Sequence, residues 1–181
     1  MASERLELVL PSLALEAAYR ECEDDFQQAG ETFLGIAGMN YPRFVERCQA
    51  YDQADAGKVP QLDFFLLRDG AIILGWSGLR LWLNPNLEDI GGHIGYRIRP
   101  SERRKGYGAR ILAMTLAEAW QYGLREVLLT CDSDNIGSRR IIEHNGGQLA
   151  SESVSPQSGV LVARYWIHLH ADGDDQIEVT T

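Results

Sequence analysis

Three consecutive cations, Arg103, Arg104 and Lys105, stand directly before two closely spaced glycines at the start of a predicted helix. Gly106 and Gly108 lack a Cβ, so a ligand can approach the backbone closely at both positions. The first N–H groups of a helix have no partner within the helix, and they lie at the positive end of its dipole. These residue types in this order predict an anion site, and a pyrophosphate is the expected ligand.

Two common nucleotide-binding motifs are excluded by the residues at this site. The dinucleotide fingerprint requires glycine or alanine three residues after its second glycine, and that position is Ile111 here. A P-loop requires Gly-Lys followed by Ser or Thr, a tripeptide that the sequence does not contain. The predicted anion site is therefore of another kind.

Arg103, Gly106 and Gly108 fill the pattern Arg-x-x-Gly-x-Gly, which resembles the acetyl-coenzyme A signature of the GNAT superfamily of N-acetyltransferases. Asn135 and Ser138, three residues apart at the start of the next predicted helix, match a second motif of that family. The family usually ends this motif with Gly-Phe, whereas this chain has two glycines. The resemblance covers residues 62–166, and residues 91–147 look like a group of bacterial predicted acetyltransferases.

The resemblance implies an enzyme that transfers the acetyl group of acetyl-CoA directly to a primary amine in a ternary complex, without a metal. The acceptor stays open among small amines, amino acids and peptides. The alternative is an acyl-CoA-binding regulatory or sensor module of the same fold with little turnover. The predicted cofactor-binding residues are Ile98, Arg103, Arg104, Lys105, Gly106, Tyr107, Gly108, Ala109, Asn135 and Ser138.

The two positions at which family members often carry a general base and a general acid are Gly92 and Ile142 in this chain. Neither side chain can transfer a proton. Two neighbours on the same predicted strand, Tyr96 and His93, are therefore the candidate catalytic residues. Strand alternation places them on opposite faces. For His93, we prefer the interpretation as a structural histidine over the interpretation as a base. Tyr96 is interpreted either as a core-packing residue or as a residue that orders a water chain.

Three further side chains near the predicted site have a functional and a structural interpretation. Glu88 and Asp89 precede the strand, where they face solvent or bind a cationic acceptor. Cys131 lies close to the expected acyl group, but a thiolate nucleophile needs a neighbouring base, and its neighbours are acidic. We interpret Cys131 as a packing residue.

The predicted elements give an α+β (mixed α/β) chain with the GNAT fold that the resemblance implies. Its central sheet is expected to be mostly antiparallel, with one parallel βαβ step and flanking helices. The predicted strands cover residues 6–10, 62–67, 71–83, 91–99, 127–129, 148–153 and 160–169. The predicted helices cover residues 12–30, 41–51 and 107–122, with a further helix from Asn135. Gly123 is expected to cap the third of these helices in a left-handed conformation. Asp69 and Gly70 predict a hairpin turn between the second and third strands, and residues 52–60 and 84–86 are a predicted polar connection and a predicted loop.

Composition places limits on the partners and the compartment. The chain has 181 residues, a net charge of −9 and three widely spaced cysteines. Acidity argues against nucleic acid as a partner, the cysteines are typical of reduced thiols, and no apolar run is long enough for a membrane span. We predict one domain over residues 1–170 with a disordered acidic tail over 171–181. A cytoplasmic location is expected, and a homodimer is compatible with the sequence.

Overall fold

The computed structural model describes residues 4–33, 39–50 and 59–170. Within these ranges the chain forms seven strands and five α-helices. The strands are β1 (Leu6–Val9), β2 (Gln61–Arg68), β3 (Ile72–Arg80), β4 (Ile94–Ile98), β5 (Glu126–Asp132), β6 (Gln148–Val154) and β7 (Leu161–His168). The helices are α1 (Glu16–Gln28), α2 (Tyr41–Gln49), α3 (Pro85–Asp89), α4 (Tyr107–Gln121) and α5 (Ile136–His144), with 3₁₀ turns at Leu13–Leu15 and Pro100–Glu102.

The predicted Asp-Gly hairpin joins β2 to β3. Asp69 and Gly70 both have positive φ, and the N–H of Ala71 donates to the carbonyl oxygen of Arg68. This geometry is a type I′ turn, whose twist matches that of the flanking strands. The turn residues thus set the register of the longest hairpin in the first sheet.

The strands form two antiparallel sheets, one ordered β1-β2-β3-β4 and the other β5-β7-β6. The fold class is confirmed, but the expectation of one sheet with a parallel step is corrected, because no strand ladder joins β4 to β5 in the described residues. It is the segment just before β4 that bonds to β5, where the N–H of His93 donates to the carbonyl oxygen of Leu128 at 2.8 Å and the N–H of Gly91 donates to the hydroxyl of Thr130 at 2.8 Å. Beyond that point β4 has a free edge.

Each face of the first sheet is covered by helices. On one face, α1 and α2 pack an aromatic cluster against Phe65, which is fully buried. On the other face, α4 packs with Ile111, Leu112, Thr115 and Ala119 buried, as its apolar periodicity predicts. Gly123 ends α4 with φ +91, in the left-handed conformation predicted for it.

Two local predictions are corrected. The fourth strand begins at Ile94 and not at residue 91, because Gly91 and Gly92 have positive φ and form a turn after α3. Residues 84–86 are not a loop, since Asn84 caps α3 by accepting a hydrogen bond from the N–H of Leu87 at 3.0 Å. Proline at the first helical position suits this start.

The ends of all seven strands agree with the predictions within about three residues. Among the largest differences is the end of β3, which lies at Arg80 whereas residue 83 was predicted. The predicted connection over residues 52–60 lies mostly outside the described residues, as do the end of the second helix at residue 51 and the whole acidic tail. No helix of the described ranges is long and apolar enough to cross a membrane.

Candidate functional site

A cleft of about 560 Å³ lies between the free end of β4 and the N-terminal turns of α4 and α5. It brings together six of the predicted cofactor-binding residues and the catalytic candidate Tyr96. These six are Ile98, Arg103, Arg104, Gly108, Asn135 and Ser138. The cleft also includes four residues that sequence reasoning missed, namely Arg97, Glu102, Gly137 and Ile141.

The backbone at the start of α4 has the form that an anion site requires. Gly106 occupies the N-cap position with φ +87, a conformation that favours glycine. A Cβ built there would meet no atom of the described residues within 4 Å, so the approach to the helix N-terminus is open. Arg104 also has positive φ, +64, and its exposed side chain lines the cleft.

The three predicted cations differ in what they contact. Arg103 is fully engaged, because Nε donates to the carbonyl oxygen of Ile98 at 3.1 Å and both terminal nitrogens donate to Glu31 at 2.7 and 2.6 Å. Lys105 donates to Glu102 at 2.9 Å. The side chain of Arg104 has no hydrogen-bond or ion-pair partner within residues 4–33, 39–50 and 59–170. Arg104 is therefore the cation that is available to a ligand.

Four predicted cofactor-binding residues do not line the cleft: Lys105, Gly106, Tyr107 and Ala109. Tyr107 is 5% exposed and packs in the core, where its hydroxyl accepts a hydrogen bond from Arg68 at 3.3 Å. Tyr107, like Gly106, can therefore offer only its backbone to a ligand.

Gly108 is placed for close packing as well as for ligand approach. A Cβ at this position would overlap Cδ1 of Ile141 on α5 and lie 4.0 Å from Cγ1 of Ile98. Glycine here lets α5 approach α4 closely and keeps the adjacent cleft open.

Asn135 and Ser138 build the opposite wall. The side-chain oxygen of Asn135 accepts a hydrogen bond from the N–H of Ser138 at 3.0 Å and so caps α5. The hydroxyl of Ser138 lies 2.9 Å from the hydroxyl of Tyr96, which reaches across from β4. Burial raises the pKa of Tyr96 to about 12, so the phenol stays protonated at neutral pH.

His93 lies outside the cleft, at the junction of the two sheets. Its Nδ1 accepts a hydrogen bond from the N–H of Leu128 at 2.8 Å, so the proton of the neutral ring is on Nε2. Burial lowers the pKa of His93, which favours that neutral form. Neither nitrogen offers a free lone pair, and this geometry argues against His93 as a base.

The missing family side chains have a steric explanation. Gly92 is buried with φ +61, and a Cβ on it would overlap the carbonyl oxygen of Leu128. Ile142 is fully buried in the core beneath α5. The turn at Gly92 is therefore closed to any side chain.

Of the two acidic residues before β4, Glu88 is exposed, whereas Asp89 binds groups of the protein itself. Arg164 donates to its carboxylate at 2.5 Å, and Ser155 and Gln157 donate to its second oxygen. The alternative in which Asp89 binds a cationic acceptor is not supported by these contacts.

Cys131 packs against the main core, and burial raises the pKa of its thiol. A protonated, partly buried thiol suits the packing role predicted for it. Among the residues with described side chains, no group of three or more His, Cys, Asp or Glu is arranged to hold a metal ion.

Residues 39–148, more than half of the chain, match the family model for the acetyltransferase (GNAT) domain. The chain belongs to the GNAT family of acetyltransferases. Membership confirms the family, the fold class and the acyltransferase class predicted from the sequence, with acetyl-CoA as the family's co-substrate. Comparison with curated protein sequences gives no match.

Solved structures similar to the chain share its fold. YncA, a putative acetyltransferase from Salmonella typhimurium with acetyl-CoA, is 15% identical with a TM-score of 0.62, covering 94% of this chain and 98% of that one. RimJ from Mycobacterium smegmatis, with CoA-disulfide, is 17% identical with a TM-score of 0.66, covering 90% and 81%. A spermidine N-acetyltransferase SpeG chimera from Vibrio cholerae and hSSAT is 13% identical with a TM-score of 0.63, covering 90% and 95%. At these identities the likeness establishes the fold alone.

Proposed function

We propose that this GNAT protein transfers the acetyl group of acetyl-CoA directly to a primary amine within a ternary complex. The observation that carries the proposal is the cleft, in which three features come together: the open N-terminus of α4, the cation Arg104 and the edge of β4, the last two without a partner among the described residues. The N-terminus of α4 and Arg104 suit a pyrophosphate. The third suits an extended arm with amide groups, since an edge strand offers unpaired N–H and C=O groups.

The residues of the site fit the two ends of acetyl-CoA. The backbone N–H groups of residues 107–109 and the side chain of Arg104 bind the pyrophosphate. Arg103 does not bind it directly; its bonds to Glu31 and to the carbonyl oxygen of Ile98 hold the loop in place. Backbone donors near Ile98 polarise the thioester carbonyl as negative charge develops on its oxygen.

Tyr96 is the proposed proton donor to the departing thiolate. Its hydroxyl lines the cleft, is held by Ser138 at 2.9 Å and keeps its proton at neutral pH. The described residues lining the cleft offer no free base, because their one carboxylate, that of Glu102, binds Arg68 and Lys105. The acceptor amine therefore loses its proton to solvent.

The state of Cys131 supports direct transfer over a covalent acetyl-enzyme. Its raised thiol pKa makes it a poor nucleophile at neutral pH. We expect Cys131→Ala to retain most of the activity, and no acetylated Cys131 peptide to be detected by mass spectrometry after incubation with acetyl-CoA alone.

Calorimetry with CoA and a thiol-release assay over a panel of amines test the proposal together. Arg104→Gln should weaken CoA binding about tenfold, the effect of losing one charge-assisted hydrogen bond of ~1.4 kcal/mol. Lys105→Gln is the matched control, because Lys105 already binds Glu102, and we expect it to lose less affinity.

Equal losses in both variants would contradict the assignment of Arg104. CoA binding without release of thiol on any amine would favour the sensor module instead. The cytoplasmic location and the homodimer stay predictions, tested by fractionation and by sedimentation of the purified chain.

A further inference from the structure

The amine must reach the free edge of β4 from one particular face of the first sheet. On the α4 and α5 side, Ile94 is 2% exposed and Tyr96 is bonded to Ser138, so the space beyond the proposed acetyl-CoA cleft is filled on that face. The opposite face is the one that carries the alternate residues of β4, Gly95 and Arg97.

Glycine at position 95 leaves room on that opposite face. Among the described residues, a Cβ built on Gly95 would meet only two carbons of the Trp76 ring, both at 3.9 Å. Gly95 pairs with Gly78 on β3, where the space is already taken by Trp76 and Gln61. The opening is thus above β4, with the edge of the Trp76 ring as its wall.

The wall of this opening is fixed in place. Nε1 of Trp76 donates to the carboxylate of Asp63 at 2.8 Å. Asp63 is 3% exposed and also accepts hydrogen bonds from Gln61 at 2.8 Å and from Cys48 at 3.4 Å. A buried carboxylate with three donors orients the indole and has no need of a further partner.

Two arginines flank the opening on the same face. Arg97 pairs in register with Trp76 and lines the cleft, and Arg80 pairs through its backbone with His93. The side chain of Arg80 donates a single hydrogen bond within the described ranges, to the carbonyl oxygen of Gly92 at 3.1 Å.

Arg80 is the more informative of the two because its charge is largely removed from water. Burial lowers its pKa, and the charge of Asp63 acts in the opposite direction without outweighing burial. A desolvated guanidinium with one carbonyl partner is costly unless an anion completes its contacts. Its planar fork matches a carboxylate in particular.

We propose that the opening above Gly95 is the acceptor subsite and that it selects an amine that also carries a carboxylate, a free amino acid, whose carboxylate binds Arg80. Arg97 adds positive potential at the other end, and the Trp76 ring contacts the acceptor's carbon chain. The inference rests on the proposed acetyl transfer and narrows its acceptor. A negatively charged acceptor group is not what the acidity of the whole chain would favour. The charge close to the site, and not the net charge, selects the ligand.

Matched acceptor pairs test the proposal. Each L-amino acid is compared with its carboxamide, which keeps the amine and the side chain but lacks the carboxylate, and spermidine serves as a cationic acceptor. The amine of the carboxamide has the lower pKa, so ionisation alone would favour the amide. We expect at least one amino acid to exceed its amide in kcat/KM by about tenfold or more, as a lost charge-assisted contact implies.

Arg80→Gln should abolish this preference by raising the KM of the amino acid, with the affinity for CoA unchanged in calorimetry. Unchanged CoA affinity also shows that the variant is folded. Arg80→Lys keeps the charge without the fork and should retain part of the preference. Arg5→Gln, on the exposed start of the opposite edge of the sheet, is the surface control.

Equal turnover of acids and amides, transfer confined to spermidine or other amines without a carboxylate, or an unchanged acid-to-amide ratio in Arg80→Gln would overturn the inference alone. If the wild-type protein did not bind CoA, that result would contradict the proposed function instead. Bound CoA without transfer to any amine would count against both.

Discussion

At the scale of single residues, the proposed proton donor lies on a different element from the one that the family pattern suggests. The hydroxyl of Tyr96 arrives from β4 and meets Ser138 on α5, whereas the family's usual tyrosine position, Ile142, is buried in the core. In this chain a phenol therefore reaches the cleft from β4, the wall opposite α5.

Tyr96→Phe should lower kcat by about a hundredfold, the lower end of the range for a general acid, while the affinity for CoA stays nearly unchanged. Ser138→Ala is the control, because it removes the partner and keeps the phenol; its loss should be smaller. The measurement is steady-state kinetics beside calorimetry. A Tyr96→Phe enzyme with wild-type kcat would exclude the role.

The pH dependence of activity follows from the absence of a free base among the described cleft residues. kcat/KM should rise with pH along the ionisation of the acceptor amine, without an enzyme limb near pH 6 to 7 of the kind that histidine gives. His93→Gln should leave the shape of the profile unchanged. A limb that disappears in His93→Gln would show that His93 is the base.

At the scale of elements, the junction between β4 and β5 depends on a neutral imidazole. Protonation of Nδ1 would replace an acceptor with a donor facing the N–H of Leu128. The groups around the ring are Arg80 and Glu126, with Trp166 at 6.2 Å between ring centroids. The bridge between the two sheets is therefore sensitive to acid.

The sign of the effect on stability follows from the lowered pKa of His93. The unfolded chain binds the proton more readily, so the free energy of unfolding should fall as the pH drops below about 6.5, the unperturbed value. Denaturant titrations between pH 8 and 5 in wild type and His93→Gln measure it. If the free energy of unfolding changed equally with pH in both proteins between pH 8 and 5, this role of His93 would be contradicted.

The contact between α4 and α5 gives a second prediction for these elements. Gly108→Ala should destabilise the fold by about 1–3 kcal/mol, because the new Cβ overlaps Ile141. Adding Ile141→Val removes the overlapping methyl group and should recover much of that loss. Chemical denaturation of both variants tests this. The overlap indicates that glycine at position 108 serves the packing of α5 on α4 as well as the approach of a ligand.

At the scale of the whole molecule, carboxylates join segments that are distant in sequence. Asp25 on α1 accepts hydrogen bonds from Arg99 at 3.0 Å and from the hydroxyl of Ser101 at 2.7 Å. Asp89 joins α3 to the turn between β6 and β7. Together with Glu31 and Glu102, these groups hold the β4–α4 loop and the second sheet in position.

These four carboxylates have lowered pKa values in the folded protein. Burial raises the pKa of Asp25 and of Glu102, but hydrogen bonds and nearby cations outweigh it; hydrogen bonds from Arg103 and Ser155 are the leading cause at Glu31 and Asp89. Their stabilisation is complete above the unfolded values near 4 and is lost as the pH falls further. Acid titration followed by circular dichroism should show that the wild-type protein unfolds as the pH falls. The stability of Asp25→Asn should depend less strongly on pH over the same range. Equal pH dependence in both proteins would contradict this.

The parts of the fold and the site that the sequence predicts are the local ones. The apolar face of α4, its cap at Gly123 and the Asp-Gly turn all depend on residues within a few positions of each other. The cleft residues Arg103, Asn135 and Ser138 were found because they match the two motifs of the family. The pairing of Glu31 with Arg103 and the hydrogen bond from the N–H of Leu128 to Nδ1 of His93 were not predicted, because pairs 35 to 72 positions apart leave no periodic signal.

The turn at Gly92 has a consequence for how this enzyme can evolve. A glutamate at that position would have to leave the left-handed backbone region and displace the carbonyl of Leu128 at once. We therefore expect a single codon change at Gly92 to disrupt the junction and to give no new general base. Under the proposed mechanism, a lineage with this turn would have to rebuild the segment between α3 and β4 before a base could arise at this position.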